Sequence, residues 1–543
     1  MIIHPFFEER NVKEEKVYRI IEVIAAAAVS LILVVIILLG NQVNYVYKNS
    51  TLIPNIIFAL FVAAALFGYF FLMRKGLLHK SQNDNQKSMP SVAKIKLQLE
   101  RSNLILLSVI LLGIQIVVAW QIYFKTGWDC AQIVQMAQRV AFDYDDIGRD
   151  MYFSMYPNNV LLVAVFAAVL RFTKYIGLNA DYFPLVMIGC LMVNMAGFFM
   201  ADCIRKLTKR NWLALIAWGV YMLLAGLSPW ISIPYSDTYS ILFPILCIWL
   251  YTYRDEKSKL LVWGGIGFAG GIGYFIKPTV ILVVYGIIAL EIWNNICSYN
   301  RRDRKKCVRN WITVAGALFL SMLLAAGFND LAREKMGFTP IKSKEFTPMH
   351  YAMMGLNYTT GGTYDQTDVN FSAGAPSVKE RNNNALEEIG NRISDMGVTG
   401  LAAHTVRKML TNFNDGTFAW GKEGEFYWNI QEKSNGLANQ LRSYYYDSGS
   451  NYEIFHTFSQ AMWVVILCLI VCIALPAEEK SERTTASVLL GILGIICFVM
   501  LFEARARYLY LYSPLFILAA AIGWERFLEW TKAKTDRKTA PQN

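Results

Sequence analysis

The sequence predicts an all-α membrane protein with about twelve transmembrane helices. Of its 543 residues, 55% are apolar and only 17% are charged, whereas a soluble globular chain carries about a quarter charged residues. The apolar residues come in runs of about 17 to 22, long enough to cross a hydrocarbon layer of roughly 30 Å. Length alone would allow about three or four soluble domains, and this composition excludes them.

Twelve apolar runs are assigned as spans, which places both ends of the chain on the same side. They are residues 20–39, 52–73, 104–124, 182–201, 212–230, 236–252, 260–276, 278–294, 311–327, 456–475, 486–502 and 507–523. The stretch 260–294 is too long for one crossing and is divided at Lys277-Pro278, because proline ends the helix before it. Residues 160–170, a run of about 11 apolar residues, are too short to cross and are predicted to be re-entrant or interfacial.

Basic residues orient these spans. When both ends of the chain are placed in the cytoplasm, the cytoplasmic loops hold well over half of the 52 lysines and arginines. The positive-inside rule requires such an excess. Counting residues 160–170 as a span would move the basic cluster at 301–309 outside, which the rule opposes. The net charge of +11 therefore reflects topology, so no nucleic-acid partner is expected. The chain is expected in the cell membrane, with both termini cytoplasmic.

Four regions follow from this assignment. Residues 1–103 form an N-terminal helical hairpin and a basic cytoplasmic loop, and residues 104–327 form a membrane core whose first outer loop is 125–181. Residues 328–455 form an extracytoplasmic loop domain, because a segment of that length is too long for a passive connection. Within it, 385–393 and 401–410 are predicted to be short helices. Residues 456–543 form the C-terminal membrane helices and a cytoplasmic tail.

Ionisable residues gather at the outer ends of the predicted spans. They are Asp129, Asp237, Lys277, Glu503, Arg505 and Arg507. An ionisable side chain placed in a membrane costs about 2.5–3.5 kcal/mol on insertion scales, so it usually faces a polar cavity or a partner. Together these residues predict an outward-facing polar cavity that contains both acids and bases.

The first three of these residues each allow two interpretations. Asp129, directly after the third span, is either a solvated interfacial carboxylate or a general base at the membrane surface, and the neighbouring charges favour the base. Asp237 opens the sixth span beside Ser236 and Thr238, all suitable helix N-caps, and it either caps that helix or lines a site. Lys277 either extends to the lipid headgroups or binds an anion.

The segment from Glu503 to Tyr508 gives the sharpest signal. On a helix, Glu503 and Arg507 would be i,i+4 partners in the order that favours an ion pair. Arg505 and Arg507 on the outer side oppose the topology rule, and an anionic phosphate would explain them because a guanidinium fork matches phosphate oxygens. An ion pair combined with phospholipid contact is the alternative.

An acidic run in the first outer loop raises the question of a metal. Asp143, Asp145 and Asp146, with Asp150 nearby, are the carboxylates that a hard divalent cation would use. A solvated acidic loop is the simpler interpretation. No cofactor is required by the sequence, and a divalent metal stays open.

The order and sidedness of these motifs resemble the polyprenyl-phosphate-sugar-dependent glycosyltransferases with the multispan GT-C fold. That group includes protein O-mannosyltransferases and lipid A aminoarabinose transferases. The resemblance covers about residues 104–523, and the first two spans lie outside it. It is carried by Trp128-Asp129, Tyr156-Pro157-Asn158-Asn159, Tyr235 to Thr238, Lys277-Pro278, and Glu503-x-Arg505-x-Arg507-Tyr508 with Pro514.

The resemblance implies a sugar donor on a polyprenyl phosphate and an active site on the extracytoplasmic face. Asp129 would deprotonate the acceptor hydroxyl for an inverting in-line attack. Lys277, Arg505 and Arg507 would stabilise the phosphate leaving group. Asp237, Glu503 and Tyr156 would support these groups.

The acceptor implied by the resemblance is an envelope glycan, a lipid or a protein. The loop domain 328–455 would contact it, with Tyr364, Asp365 and Asp368 as candidates. A flippase or transporter of lipid-linked sugars also needs charges and broken helices in the membrane, and an envelope polysaccharide polymerase or ligase would use similar arginines. The gathering of the charges at one face favours the transferase.

Overall fold

The computed structural model describes residues 5–41, 51–75, 101–143, 145–178, 182–299, 304–424, 427–430, 435–476 and 482–539. In these ranges the chain is almost entirely helical, and the predicted class, an all-α membrane protein, is confirmed. The helices are α1 Pro5–Leu39, α2 Asn55–Arg74, α3 Arg101–Ile122, α4 Trp128–Gln138, α5 Met151–Met155, α6 Asn159–Tyr175, α7 Phe183–Thr208, α8 Asn211–Tyr221, α9 Ser236–Ser240, α10 Leu242–Tyr251, α11 Lys259–Ile276, α12 Ile281–Tyr299, α13 Arg304–Lys335, α14 Pro348–Gly355, α15 Gln366–Gly374, α16 Val378–Phe413, α17 Gly436–Tyr445, α18 Tyr452–Val471, α19 Arg483–Leu501 and α20 Arg507–Thr539.

Ten helices in the described ranges are long and apolar enough to cross a membrane. They correspond to ten of the twelve predicted spans. The other two predicted spans, 212–230 and 236–252, are shorter apolar helices, Asn211–Gly226 and Ser236–Tyr251. These two helices are shorter than the other ten: the first ends in a π-helical turn at Met222–Gly226, and the second contains a turn at Ile241.

Two further predictions about the membrane core can be compared with the structure. The break at Lys277 is confirmed, since α11 ends at Ile276 and Lys277 is extended before the 3-10 turn that opens with Pro278. The run 160–170 belongs to α6, a helix of 17 residues that is longer than predicted. Its first turn is buried inside the protein, and its re-entrant or interfacial placement stays a prediction.

The loop domain is joined closely to the membrane helices. Its longest helix, α16, continues through both predicted short helices and breaks only at Gly397, where φ is 56°. A small antiparallel sheet pairs β1 (Phe124–Thr126), in the first outer loop, with β2 (Tyr427–Ile430), in the loop domain. The amide of Ala504 donates to Gly362 O at 2.7 Å. The loop domain therefore supports the segment between α19 and α20.

The N-terminal hairpin is fastened to the rest of the protein by buried amides. Asn55 Nδ2 donates to Asn414 Oδ1 at 2.9 Å, and Gln460 Nε2 donates to Asn55 Oδ1 at 3.0 Å. Asn414 Nδ2 donates in turn to Gly40 O at 3.1 Å. The first two helices are therefore packed into the structure through the end of α16 and through α18.

Candidate functional site

Two bases converge on one buried carboxylate where three helices begin or end. Lys277 Nζ lies 2.8 Å from Asp237 Oδ1, and Arg507 Nε lies 3.2 Å from Asp237 Oδ2. Asp237 is in the first turn of α9, Lys277 lies between α11 and the turn that leads to α12, and Arg507 opens α20. The structure thus brings together residues that are up to 270 positions apart, as the shared sidedness of the motifs predicts.

Asp237 does not cap a helix. The N-cap position of α9 is Tyr235, with no side-chain cap hydrogen bond, so the capping interpretation of Ser236, Asp237 and Thr238 is wrong. The chain enters α9 one residue earlier than the sequence suggests. That shift places Asp237 in the first turn, where its carboxylate faces the two bases instead of its own backbone.

Glu503 and Arg507 are not helical partners. Residues 503–505 lie between α19 and α20, outside any helix, so the predicted i,i+4 pair on a helix is wrong. Glu503 instead accepts hydrogen bonds from Arg505 Nε at 2.7 Å and from Tyr508 Oη at 3.0 Å. Burial raises the pKa of Glu503, but Arg505, Arg507 and the Tyr508 hydroxyl together outweigh it and hold that pKa below its usual range. Glu503 is therefore ionised at neutral pH.

A third carboxylate, Glu423, completes the cluster and was not among the residues that the sequence singled out. Its Oε2 lies 3.0 Å from Arg505 Nη1 and 3.7 Å from Arg507 Nε, and the residue is buried. It belongs to a π-helical turn, Trp420–Gly424, in the loop domain. Glu423 follows Lys422 in a loop where its position carries no sequence signal, because only the packing of that loop aims its carboxylate at the arginines.

Aromatic rings line the basic side chains. Arg507 Cζ lies 4.5 Å from the centre of the Trp128 ring, and Lys277 Nζ lies 4.1 Å from that of Tyr508. Arg505 Cζ lies 5.6 Å from the ring of Tyr364. These are cation–π distances. The sequence quoted Trp128 and Tyr508 only as parts of motifs, and the structure makes both of them walls of the site.

Several buried donors at this site lack a hydrogen bond in the described ranges, namely Arg507 Nε and Nη1 and Trp128 Nε1. Buried donors are nearly always satisfied, and leaving one unmade costs about 1–3 kcal/mol. An anionic ligand that accepted one of these N–H groups would remove that cost.

Asp129 lies next to the basic cluster. It is in the first turn of α4 and is half-buried, so a small molecule can reach it. Tyr235 Oη donates to Asp129 Oδ2 at 3.3 Å, while the ring of the same tyrosine lies 5.2 Å from Arg507 Cζ. One tyrosine therefore contacts both the candidate base and the candidate phosphate ligand. Trp128, just before Asp129, has a positive φ of 48°, a conformation that non-glycine residues adopt rarely and often at functional sites.

Three tyrosines face Asp129 from the loops. Burial, then Tyr351 and Asp129, raise the pKa of Tyr156. Burial, then Glu503 and Asp129, raise the pKa of Tyr351, and burial and Asp129 raise that of Tyr364. Their hydroxyls stay protonated at neutral pH and can donate hydrogen bonds, as sugar hydroxyls require. The structure thus places Tyr156 and Tyr364 beside the site, together with Tyr351, which sequence reasoning missed.

Two of the acceptor candidates have other partners. Asp365 is the N-cap of α15 and accepts from the amide of Thr367 at 2.7 Å. Asp368 is buried and lies 2.6 Å from Arg392 Nη2. Both carboxylates thus stabilise the loop domain, and the structure does not bring them to the cluster around Asp237.

The acidic run of the first loop does not form a metal centre. Asp145 Oδ2 lies 2.8 Å from Arg139 Nη2 at an exposed position, and Asp150 caps α5 by accepting from the amide of Phe153. Asp143 ends a π-helical turn and Asp146 packs against Gly337. In the part of the chain that the structure describes, no group of three His, Cys, Asp or Glu side chains could hold a metal ion. The described carboxylates of this run therefore do not fit a metal centre.

Comparison with known proteins gives the family. Residues 64–528 match a family model described as conserved hypothetical integral membrane protein. The match covers most of the chain, which therefore belongs to this family of integral membrane proteins. No curated protein matches the chain. Together with the apolar helices, the match establishes a multi-pass membrane protein.

Proposed function

We propose that this member of the integral membrane protein family is a glycosyltransferase that moves a sugar from a polyprenyl phosphate to a hydroxyl of a cell-envelope acceptor. One observation carries the proposal: Tyr235 joins the reachable carboxylate of Asp129 to a buried basic cluster in which Arg507 has an unused donor. An inverting transfer from a phosphate carrier requires a carboxylate beside an anion-binding site. The carboxylate takes the proton of the acceptor, and the anion-binding site stabilises the charge that develops on the leaving phosphate.

The reaction needs one base. The acceptor oxygen attacks the anomeric carbon from the side opposite the phosphate, and Asp129 takes the proton of the acceptor hydroxyl. A carbon–oxygen bond forms to the acceptor as the bond to the phosphate oxygen breaks. The leaving phosphate keeps the electron pair, so its charge changes from about −1 to about −2. The configuration at the anomeric carbon inverts because a single displacement takes place.

The basic cluster fits the growing charge on the phosphate. Arg507 and Arg505 offer planar forks that match phosphate oxygens, and Lys277 adds a compact positive charge. All three are largely withdrawn from water, where such charges act more strongly than they would in solvent. The tyrosines around Asp129 supply hydrogen-bond donors for the transferred sugar.

The proposed topology places the site at the extracytoplasmic face and both termini in the cytoplasm. It is supported by the concentration of basic residues in the loops at the other ends of the spans. The polyprenyl chain of the donor would lie among the membrane helices, and membrane lipids surround the protein. The loop domain, which contributes Glu423, Tyr351 and Tyr364, would contact the acceptor.

The test uses purified protein, a panel of polyprenyl-phosphate sugars and envelope acceptors, and compares wild type with Asp129→Asn. We expect wild type to release polyprenyl phosphate and the variant to be slower by about 10²–10⁴-fold, as for the loss of a general base. Asp145→Asn is the matched control, because Asp145 lies in the same loop but is exposed and paired with Arg139.

Full activity in Asp129→Asn would support the transferase function but refute the role of Asp129 as the general base. Failure of wild type to bind or cleave any polyprenyl-phosphate sugar would refute the proposed function. Movement of the donor across liposomes without cleavage would identify a flippase instead. Release of the sugar with retained anomeric configuration would contradict the single displacement.

A further inference from the structure

The asparagine pair Asn158-Asn159 forms a hydrogen-bonded chain that leads towards Asp129. Asn158 Nδ2 donates to Asn159 Oδ1 at 3.1 Å, and Asn159 Nδ2 donates to the hydroxyl oxygen of Tyr152 at 2.9 Å. Asn159 is buried in the first turn of α6, a position where an unpaired amide would be costly. The pair therefore presents an amide N–H to a tyrosine of the neighbouring helix α5.

Tyr152 is the link between this pair and Asp129. It lies in α5, whose first turn is capped by Asp150, and its ring lies 5.1 Å from the ring of Tyr156. Burial, then the negative charge of Asp129, raise the pKa of Tyr152 well above its usual value, and a hydrogen bond between the two side chains contributes to the shift. Tyr152 is therefore a neutral phenol that contacts the candidate base.

A phenol has one hydrogen, so the direction of each hydrogen bond in the chain matters. Because Asn159 donates to the Tyr152 oxygen, the amide does not use that hydrogen, and it is available to Asp129. The bond from Asn158 fixes the amide of Asn159, since the amide oxygen faces Asn158 while its NH2 group faces the tyrosine. Tyr235 also donates to Asp129, at 3.3 Å. Two phenols therefore hold the carboxylate.

We propose that Asn159 is a positioning residue for the general base, which holds the Tyr152 hydroxyl in the orientation that donates to Asp129. This inference rests on the proposed function and deepens it. With the two phenols in place, the carboxylate keeps one orientation, and its remaining lone pairs are directed at the acceptor hydroxyl. A base must lie within hydrogen-bond reach of the proton that it takes, and a misplacement of about 1 Å can slow a reaction about 100-fold.

Two substitutions of nearly the same shape test the direction of the chain. Asn159→Asp puts an acceptor where the N–H was, so the Tyr152 hydrogen turns from Asp129 to the new carboxylate. Asn159→Leu removes the amide but offers no competing acceptor, so the Tyr152 hydrogen stays on Asp129. The aspartate is therefore expected to be the more harmful change for catalysis.

The test measures kcat, per folded molecule, and the KM for the polyprenyl-phosphate sugar in purified protein. We expect Asn159→Asp to lower kcat about 10–100-fold with little change in the KM of the donor, since the basic cluster is untouched. Asn159→Leu should lose clearly less. Asn439→Asp, the same change at an exposed position of α17, should match wild type.

A double variant shows whether Asn159 acts through Tyr152. Tyr152→Phe removes the hydroxyl hydrogen altogether and should lower kcat about as much as Asn159→Asp. When Asn159→Asp is added to Tyr152→Phe, it should have little further effect, because the hydrogen that it redirects is already absent. Additive losses would mean that the new negative charge or a change in packing causes the fall, and they would overturn the inference.

Other results would overturn it as well. Full kcat in Asn159→Asp would show that the chain does not hold the base, and an equal loss in Asn159→Leu would reduce the amide to a packing role. If the buried aspartate prevents folding, Tyr152→Phe decides alone, since full kcat in that variant removes both residues from the base.

The behaviour of wild type separates this inference from the proposed function. If wild type transfers sugar and the variants give one of the contrary results, only the positioning role of Asn159 fails. If wild type cleaves no polyprenyl-phosphate sugar, the proposed function fails, and the positioning role fails with it.

Discussion

The two ends of the helix bundle use buried ion pairs in different ways. At the site end, Arg507 opens α20 and contacts Asp237. About 28 Å further along the same helix, Arg526 Nη2 lies 3.1 Å from Glu22 Oε1, and Arg19 Nη1 lies 2.9 Å from Glu22 Oε2. The acids Asp237 and Glu22 are both buried, so burial alone does not distinguish a functional cluster from a structural one.

The difference lies in the backbone that carries the charges. Glu22, Arg19 and Arg526 sit within the regular helices α1 and α20, so their pairs join two helices. Lys277 and Arg505 sit at breaks between helices. Interrupted helices can present charges that the protein does not fully satisfy, as at Arg507 Nη1. Buried ion pairs on continuous helices fasten the bundle, and those at helix breaks are available to a ligand.

The largest expected effect is on stability at the end opposite the site. Glu22→Gln leaves Arg526 and Arg19 partly buried without their carboxylate, and removing one partner of a buried pair typically costs about 3–5 kcal/mol. We expect a clear fall in the melting temperature of the purified protein. Activity per folded molecule should be unchanged, and a specific loss of transfer at full stability would contradict the comparison.

The next effect is on transfer at the site end. Arg507→Gln removes a fork aimed at the leaving phosphate, and we expect turnover to fall by about 10²–10³-fold, the usual result of deleting one donor to a developing charge. Arg507→Lys keeps the charge and should restore only part of the rate. Arg526→Gln, the same change on the same helix, is the control. It should lower stability and leave turnover per folded molecule intact.

The smallest effect concerns Lys408, a buried base that donates its hydrogen bonds to backbone carbonyls. Lys408 Nζ donates to Gly355 O at 2.9 Å and to Phe502 O at 2.6 Å. Burial lowers the pKa of Lys408 to about 7, although Glu503 opposes the shift. His404 Nε2 contacts the same Gly355 carbonyl at 2.9 Å, and burial also lowers its pKa. The two N–H groups of a neutral amine match the two carbonyls that Lys408 contacts.

The sign of the pH dependence follows from that lowered pKa. Below pH 7 Lys408 is protonated in both states, and the cost of burying its charge is fully present. As the pH rises from 7 towards the unfolded value of about 10.4, only the unfolded state keeps the proton, so the free energy of unfolding increases. Melting temperatures between pH 6 and 10 should rise more in wild type than in Lys408→Met. Parallel curves would show that Lys408 keeps its charge when buried.

The sequence predicted the membrane helices and most members of the site. Hydropathy and chain length determine whether a run can cross a membrane, and proline marked the break beside Lys277. The sequence failed where a local rule met an irregular backbone. The N-cap rule misplaced Asp237, and helical spacing paired Glu503 with Arg507 although residues 503–505 lie outside any helix. Asp365 and Asp368, chosen as polar loop residues, serve the cap of α15 and the pair with Arg392.

The sequence by itself determined that this protein lies in the membrane and which charged groups the helix ends can offer, because those properties depend on the local run of residues. Only the tertiary structure decided which groups meet. Glu423 reaches Arg505 across 82 positions because the loop domain folds back through β2 and the turn Trp420–Gly424. Ion pairing acts through space over a few ångströms, and the distance between two side chains at such separations is set by the packing of every element between them.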